Sequence, residues 1–94
     1  MTKPTLGIIG GGQLGSMLAA AAKKIDIKTT IFCDEIDAPA QKFSDQFIYG
    51  EYNDENKIKE FLSQVDIVTY EFENIPYETL NFINKIKPVL PKPS

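Results

Sequence analysis

Apolar positions along this chain group in two alternating ways. Residues 5–9, TLGII, form a short, partly β-branched run that ends in glycines and read as a buried strand. From Gln13 the period changes. Leu14, Met17, Leu18, Ala21, Ala22 and Ile25 recur at the three- and four-residue spacing of an amphipathic helix. Lys23 and Lys24 fall in its last turn, where cations suit the helix dipole. Residues 27–33, IKTTIFC, predict a second strand ended by Asp34, and residues 38–43 one or two helical turns. Residues 46–52 predict a third strand, and Asn53 or Asp54 suits the N-cap of a helix carrying Ile58, Phe61, Leu62 and Val65 on one face. Residues 66–70, DIVTY, read as a fourth strand followed by a loop at 71–74. Pro76 fits the first turn of a helix through Leu80 and Ile83. Val89 and Leu90, fenced by Pro88 and Pro91, are candidates for a short fifth strand.

Strand and helix alternating at such short intervals predict an α/β fold: a Rossmann-like parallel sheet of four to five strands with helices on both faces. Right-handed crossovers give the order 3-2-1-4, with any fifth strand beside the fourth.

Composition narrows the chemistry. Ninety-four residues, 43% hydrophobic and 24% charged, make one ordinary globular domain over 1–94. No apolar run reaches the roughly 18 residues of a membrane span, and the N-terminus lacks a signal-peptide layout. The lone Cys33 cannot form an internal disulfide, so a reducing, cytoplasmic setting is expected. In a β-branched strand it reads as small buried filling. The net charge is −3 and all ten basic residues are Lys, with no basic patch to indicate nucleic acid. Without Arg, a phosphorylated ligand must be held by backbone N–H groups and Lys, or by Arg supplied from elsewhere. Without His, the commonest general acid–base and metal ligand is missing, and no metal site is expected. No residue stands out as catalytic.

Two loops carry the candidate chemistry. Gly10-Gly11-Gly12-Gln13-Leu14-Gly15 satisfies G-x-G-x-x-G between a predicted strand and a predicted helix. Gly10 would allow the tight turn, Gly12 a ligand's close approach, and Gly15 close helix–strand packing, with the helix N-terminus facing an anion. Alternatively, the glycines merely permit a sharp turn. Asp34 sits where an acid binds the adenine ribose in NAD enzymes, or is an acidic turn residue in D-E-I-D. On these two features alone, NAD binding leads.

The second loop, Tyr70-Glu71-Phe72-Glu73-Asn74, follows the fourth strand and should emerge beside the glycine loop. Two carboxylates suit ribose hydroxyls or an amino group better than a pyrophosphate. The other reading is a solvated loop in which Asn74 caps the next helix and Glu71 meets a lysine.

Together, GGGQLG with the following M-L-A, the D-x-x-x-x-P-A pattern at Asp34, Pro39 and Ala40, and DIVTYEFENI are similar to one family. They resemble the N-terminal domain of the N5-carboxyaminoimidazole ribonucleotide synthetases, ATP-grasp ligases of purine biosynthesis, from about Leu6 to Ser94. The resemblance implies a ligase that makes carboxyphosphate from ATP and bicarbonate and transfers the carboxyl group to the exocyclic amine of 5-aminoimidazole ribonucleotide. It implies that ATP and magnesium are bound outside this chain, and it leaves a homodimer open. Residues 88–94 would then begin a linker to an ATP-grasp domain. By position, Gly12, Gln13 and Leu14 would approach the nucleotide's phosphate or ribose, and Glu73 with Asn74 the ribose or base. Ser16 stands where the family commonly has Arg, which weakens any phosphate contact through that charge. Glu35 replaces a common Pro in a loop. The alternatives are an NAD-binding or nucleotide-sensing module, and the N-terminal domain of another ATP-grasp enzyme such as formate-dependent glycinamide ribonucleotide transformylase.

Overall fold

The computed structural model describes residues 3–70 and 75–90. Four parallel strands, β1 (Leu6–Ile9), β2 (Thr29–Cys33), β3 (Gln46–Tyr49) and β4 (Ile67–Tyr70), form one sheet in the order β3-β2-β1-β4. The predicted order and direction are those observed. Among the described residues, the expected fifth strand is one parallel bridge, Val68 to Val89. Val68 N–H donates to the Pro88 carbonyl and Leu90 N–H to that of Val68, each at 2.9 Å. Pro88 lacks the N–H group that would extend this ladder toward the amino edge.

Helices cover both faces. Helix α1 (Gln13–Lys24) and a 3-10 helix, η1 (Pro39–Phe43), pack on one side over Ile8, Ile31 and Cys33. Helices α2 (Glu55–Leu62) and α3 (Tyr77–Asn84) pack on the other, over Ile9, Phe32, Ile48 and Val68. Period-two alternation in β1 and β2 sends neighbouring residues to opposite cores. The α2/α3 side holds the larger core, where the Phe32 and Phe61 rings lie 5.6 Å apart at 52°.

Local signals fix the element ends. Asp54 is the N-cap of α2 and accepts the Lys57 N–H at 3.1 Å. Helix α1 ends in a Schellman turn. Asp26 takes φ 61°, Ile27 N–H reaches the Ala22 carbonyl at 2.8 Å, and Asp26 N–H reaches that of Lys23 at 3.1 Å. At the amino edge, Asp45 accepts the Thr29 N–H and Asp66 the Thr5 N–H, both at 2.8 Å. Pro76 is the N-cap of α3, one position earlier than its expected place in the first turn. Strand β3 stops at Tyr49, short of the expected Tyr52, where Gly50 lies against the Phe32 ring.

The buried face of α1 differs from the expected one. Gly15, Ala19 and Ala22 face the sheet, with Leu18 half-buried beside them. Leu14, Met17, Ala21 and Ile25 are exposed. Small side chains let the helix approach the sheet closely, so the row of larger residues is turned outward.

Candidate functional site

Strand order places the site. The connection from β1 runs toward β2 and that from β4 runs away toward Val89, so the order reverses between β1 and β4. Ligands of open α/β sheets bind in the crevice at that reversal, beyond the carboxyl ends of the strands. Ile9 lies opposite Tyr70, so β1 and β4 end side by side at one level, and the glycine loop starts there. Glu71, Glu73 and Asn74 lie outside the described residues.

The glycine loop divides its tasks among neighbours. Gly10, at φ 105°, makes the turn out of β1 in a conformation that favours glycine, and its N–H donates to the Phe32 carbonyl at 2.9 Å. Gly11 is buried under the start of η1. A Cβ there would stand 2.5 Å from the Ala38 Cβ and 3.0 Å from the Cys33 Sγ. The Gly11 carbonyl accepts the Ala40 N–H at 2.9 Å. The P-A pattern at Pro39 and Ala40 therefore has a structural purpose, since η1 clamps the loop from outside. Gly12, at φ −80°, is the N-cap of α1 and accepts both the backbone N–H and the hydroxyl of Ser16 at 2.9 Å. Gln13 and Leu14 lie exposed in the first helical turn, at the helix end whose dipole is positive. Gly15 is on the buried row. The arrangement presents backbone donors and a positive dipole end to an anion.

The end of β2 forms the next wall. Cys33 is buried, as its strand context predicts, and Asp34 is exposed just beyond it. Beside both lies Tyr52, half-buried, with its ring 6.0 Å from that of Phe32. Burial pushes this phenol's pKa well above its usual value, and the nearby Cys33 and Asp34 push it further, so it stays protonated. The Tyr52 carbonyl accepts the Thr79 hydroxyl at 2.6 Å, tying the β3–α2 connection to α3. The sequence gives no signal for this role, because Tyr52 reads there as the end of a strand.

No cluster of three or more His, Cys, Asp or Glu suited to a metal ion occurs among the described residues. A shallow groove of about 360 Å³, lined by Thr5, Lys28, Thr30, Asp45 and others, opens at the opposite, amino edge of the sheet, away from the glycine loop. The strand-order argument favours the carboxyl edge over that groove.

Comparisons with known proteins agree with this geometry. A family model described as the ribonucleotide synthetase preATP-grasp domain matches residues 1–94. The chain is 43% identical over 82 residues to an N5-carboxyaminoimidazole ribonucleotide synthase of Staphylococcus epidermidis, covering 87% of this chain and 22% of that protein. Among solved structures, the N5-carboxyaminoimidazole synthetase of Staphylococcus aureus, complexed with ADP, superposes with a TM-score of 0.85 at 36% identity, over 92% of this chain and 23% of that one. The Aspergillus clavatus synthase in complex with ADP and 5-aminoimidazole ribonucleotide gives a TM-score of 0.77 at 26% identity, over 93% and 23%. The chain thus spans less than a quarter of the length of each of these three proteins.

Proposed function

Since the chain belongs to the ribonucleotide synthetase preATP-grasp domain family, we propose that it is the ribonucleotide-binding domain of an ATP-dependent ligase. That ligase carboxylates the exocyclic amine of 5-aminoimidazole ribonucleotide, using bicarbonate, in the cytoplasm. The observation that carries this reading is the register of Ile9 against Tyr70, which ends β1 and β4 side by side at the reversal of strand order, where the glycine loop begins. A relative whose structure contains 5-aminoimidazole ribonucleotide supports it.

The chain's own part is positioning. Backbone N–H groups of Gly12, Gln13 and Leu14 meet the nucleotide's phosphate or ribose, and Glu73 with Asn74 meets the ribose or base. Ser16 is uncharged, and its hydroxyl donates to the Gly12 carbonyl. ATP, magnesium and the carboxyphosphate they generate belong to residues beyond 94. This chain supplies no Arg or His to phosphoryl transfer.

NAD is disfavoured because Glu71 and Glu73 would bring like charge to its pyrophosphate. Amide NMR titrations of the 94-residue chain test the reading. 5-Aminoimidazole ribonucleotide should shift the signals of residues 12–15, and NAD and NADH should leave them unmoved. Saturable micromolar NAD binding without a ribonucleotide response would overturn it.

A further inference from the structure

Helix α1 is apolar over more of its circumference than the sheet covers. Behind the buried row, Leu14, Met17, Ala21 and Ile25 form a second row over three turns. Met17 and Ile25 are 60% and 62% exposed. Single exposed apolar residues are ordinary; a continuous row along a helix marks a contact surface. The 3-10 helix η1 occupies the flank of α1 toward β3. A right-handed β1–α1–β2 crossover turns the exposed row to the opposite flank, above β4.

The sheet is thinly covered there. Val68 points into the α2/α3 core, so Ile67 and Thr69 point to the α1 side, and both are only half-buried. Leu90, next to the inward-facing Val89, stands beside them and is 48% exposed. The outcome is an apolar trough with α1 as its wall and β4 with Leu90 as its floor.

We propose that this trough is the docking surface for the polypeptide that follows residue 94 in a full-length ligase. The inference rests on the ligase reading above and adds the face through which the two parts join. Three observations choose this occupant. The relatives are more than four times longer than the region they share with this chain. Leu90, hydrogen-bonded to the Val68 carbonyl, brings the chain out at the trough itself. The exposed row begins at Leu14, in the first turn behind the glycine loop, so whatever covers it also borders the ligand crevice. A chain with no Arg and no His can receive guanidinium and imidazole groups at that place only from outside. A domain seated along α1 delivers them.

The test pairs two settings for one double variant, Met17→Glu with Ala21→Glu. In the 94-residue chain the melting temperature should move by less than about 4 °C, because both positions face water. In the full-length protein the same variant should lose its single melting transition and show at least tenfold faster limited proteolysis between this domain and the rest. Neither readout needs substrate, so failure here is distinct from failure of the ribonucleotide reading. Three results would overturn the proposal: an unfolded 94-residue variant, which would make the row core; a full-length variant as compact and protease-resistant as its parent; or a dimeric parent chain made monomeric by the variant, which would assign the trough to a second copy.

Discussion

Adjacent glycines in one loop answer to different forces. Gly12 has φ −80°, a backbone that any residue adopts, so a side chain there meets no conformational bar. Gly11 is different, because its missing side chain is filled by Ala38 and Cys33. Gly11→Ala should therefore destabilise the chain by about 1–3 kcal/mol, the usual cost of overpacking. Adding Ala38→Gly should restore part of that loss by vacating the nearest contact, at 2.5 Å. Urea denaturation of the single and double variants checks this. If the double variant is no more stable than Gly11→Ala, the clamp of η1 on the loop is not what makes Gly11 necessary. The G-x-G-x-x-G spacing makes the loop legible but leaves Gly11 as the x. Its role arises from a segment nearly thirty residues later, which no local pattern reveals.

Among the elements, the legible ones were those whose ends carry their own chemistry. Asp54 caps α2 through the Lys57 N–H, and α2 supplies Ile58, Phe61 and Leu62 to the larger core. Asp54→Ala should cost about 0.5–2 kcal/mol, measured by the shift of the urea midpoint at unchanged slope. A change near zero would mean that packing alone fixes where α2 begins. Helix α1 shows what periodicity leaves open. Its spacing identifies a helix, yet apolar residues occupy so much of the circumference that either of two rows could face the sheet. Close approach decided for Gly15, Ala19 and Ala22, while summed hydrophobicity points to the larger residues. Val89 and Leu90 likewise have strand composition, but Pro88 withholds an N–H from the ladder, and among the described residues they make one bridge.

At the scale of the whole molecule, the sheet reads as one half of a site. Strand order and parallel direction were legible because four β-runs separated by short helical segments leave few right-handed topologies. Tyr52 was not, since its place beside Cys33 and Asp34 depends on β3 ending early at Gly50. The crevice between β1 and β4 has backbone donors at the glycine loop on one side and the end of β4 at Tyr70 on the other. On the ligase reading, Glu73 makes a charge-assisted hydrogen bond to the ribonucleotide and none to ATP. Losing such a bond costs about 1.5–3 kcal/mol, or roughly ten- to a hundredfold in rate. In the full-length enzyme, Glu73→Ala should therefore lower kcat/KM for 5-aminoimidazole ribonucleotide by that factor and leave the KM for ATP nearly unchanged. Steady-state kinetics with each substrate varied in turn provides the measurement. Equal damage to both substrates would indicate a disturbed fold, and no effect on either would return Glu73 to a solvated loop. A selective loss on the ribonucleotide side would mean that this domain positions the amine while chemistry is carried out by the chain docked beside it.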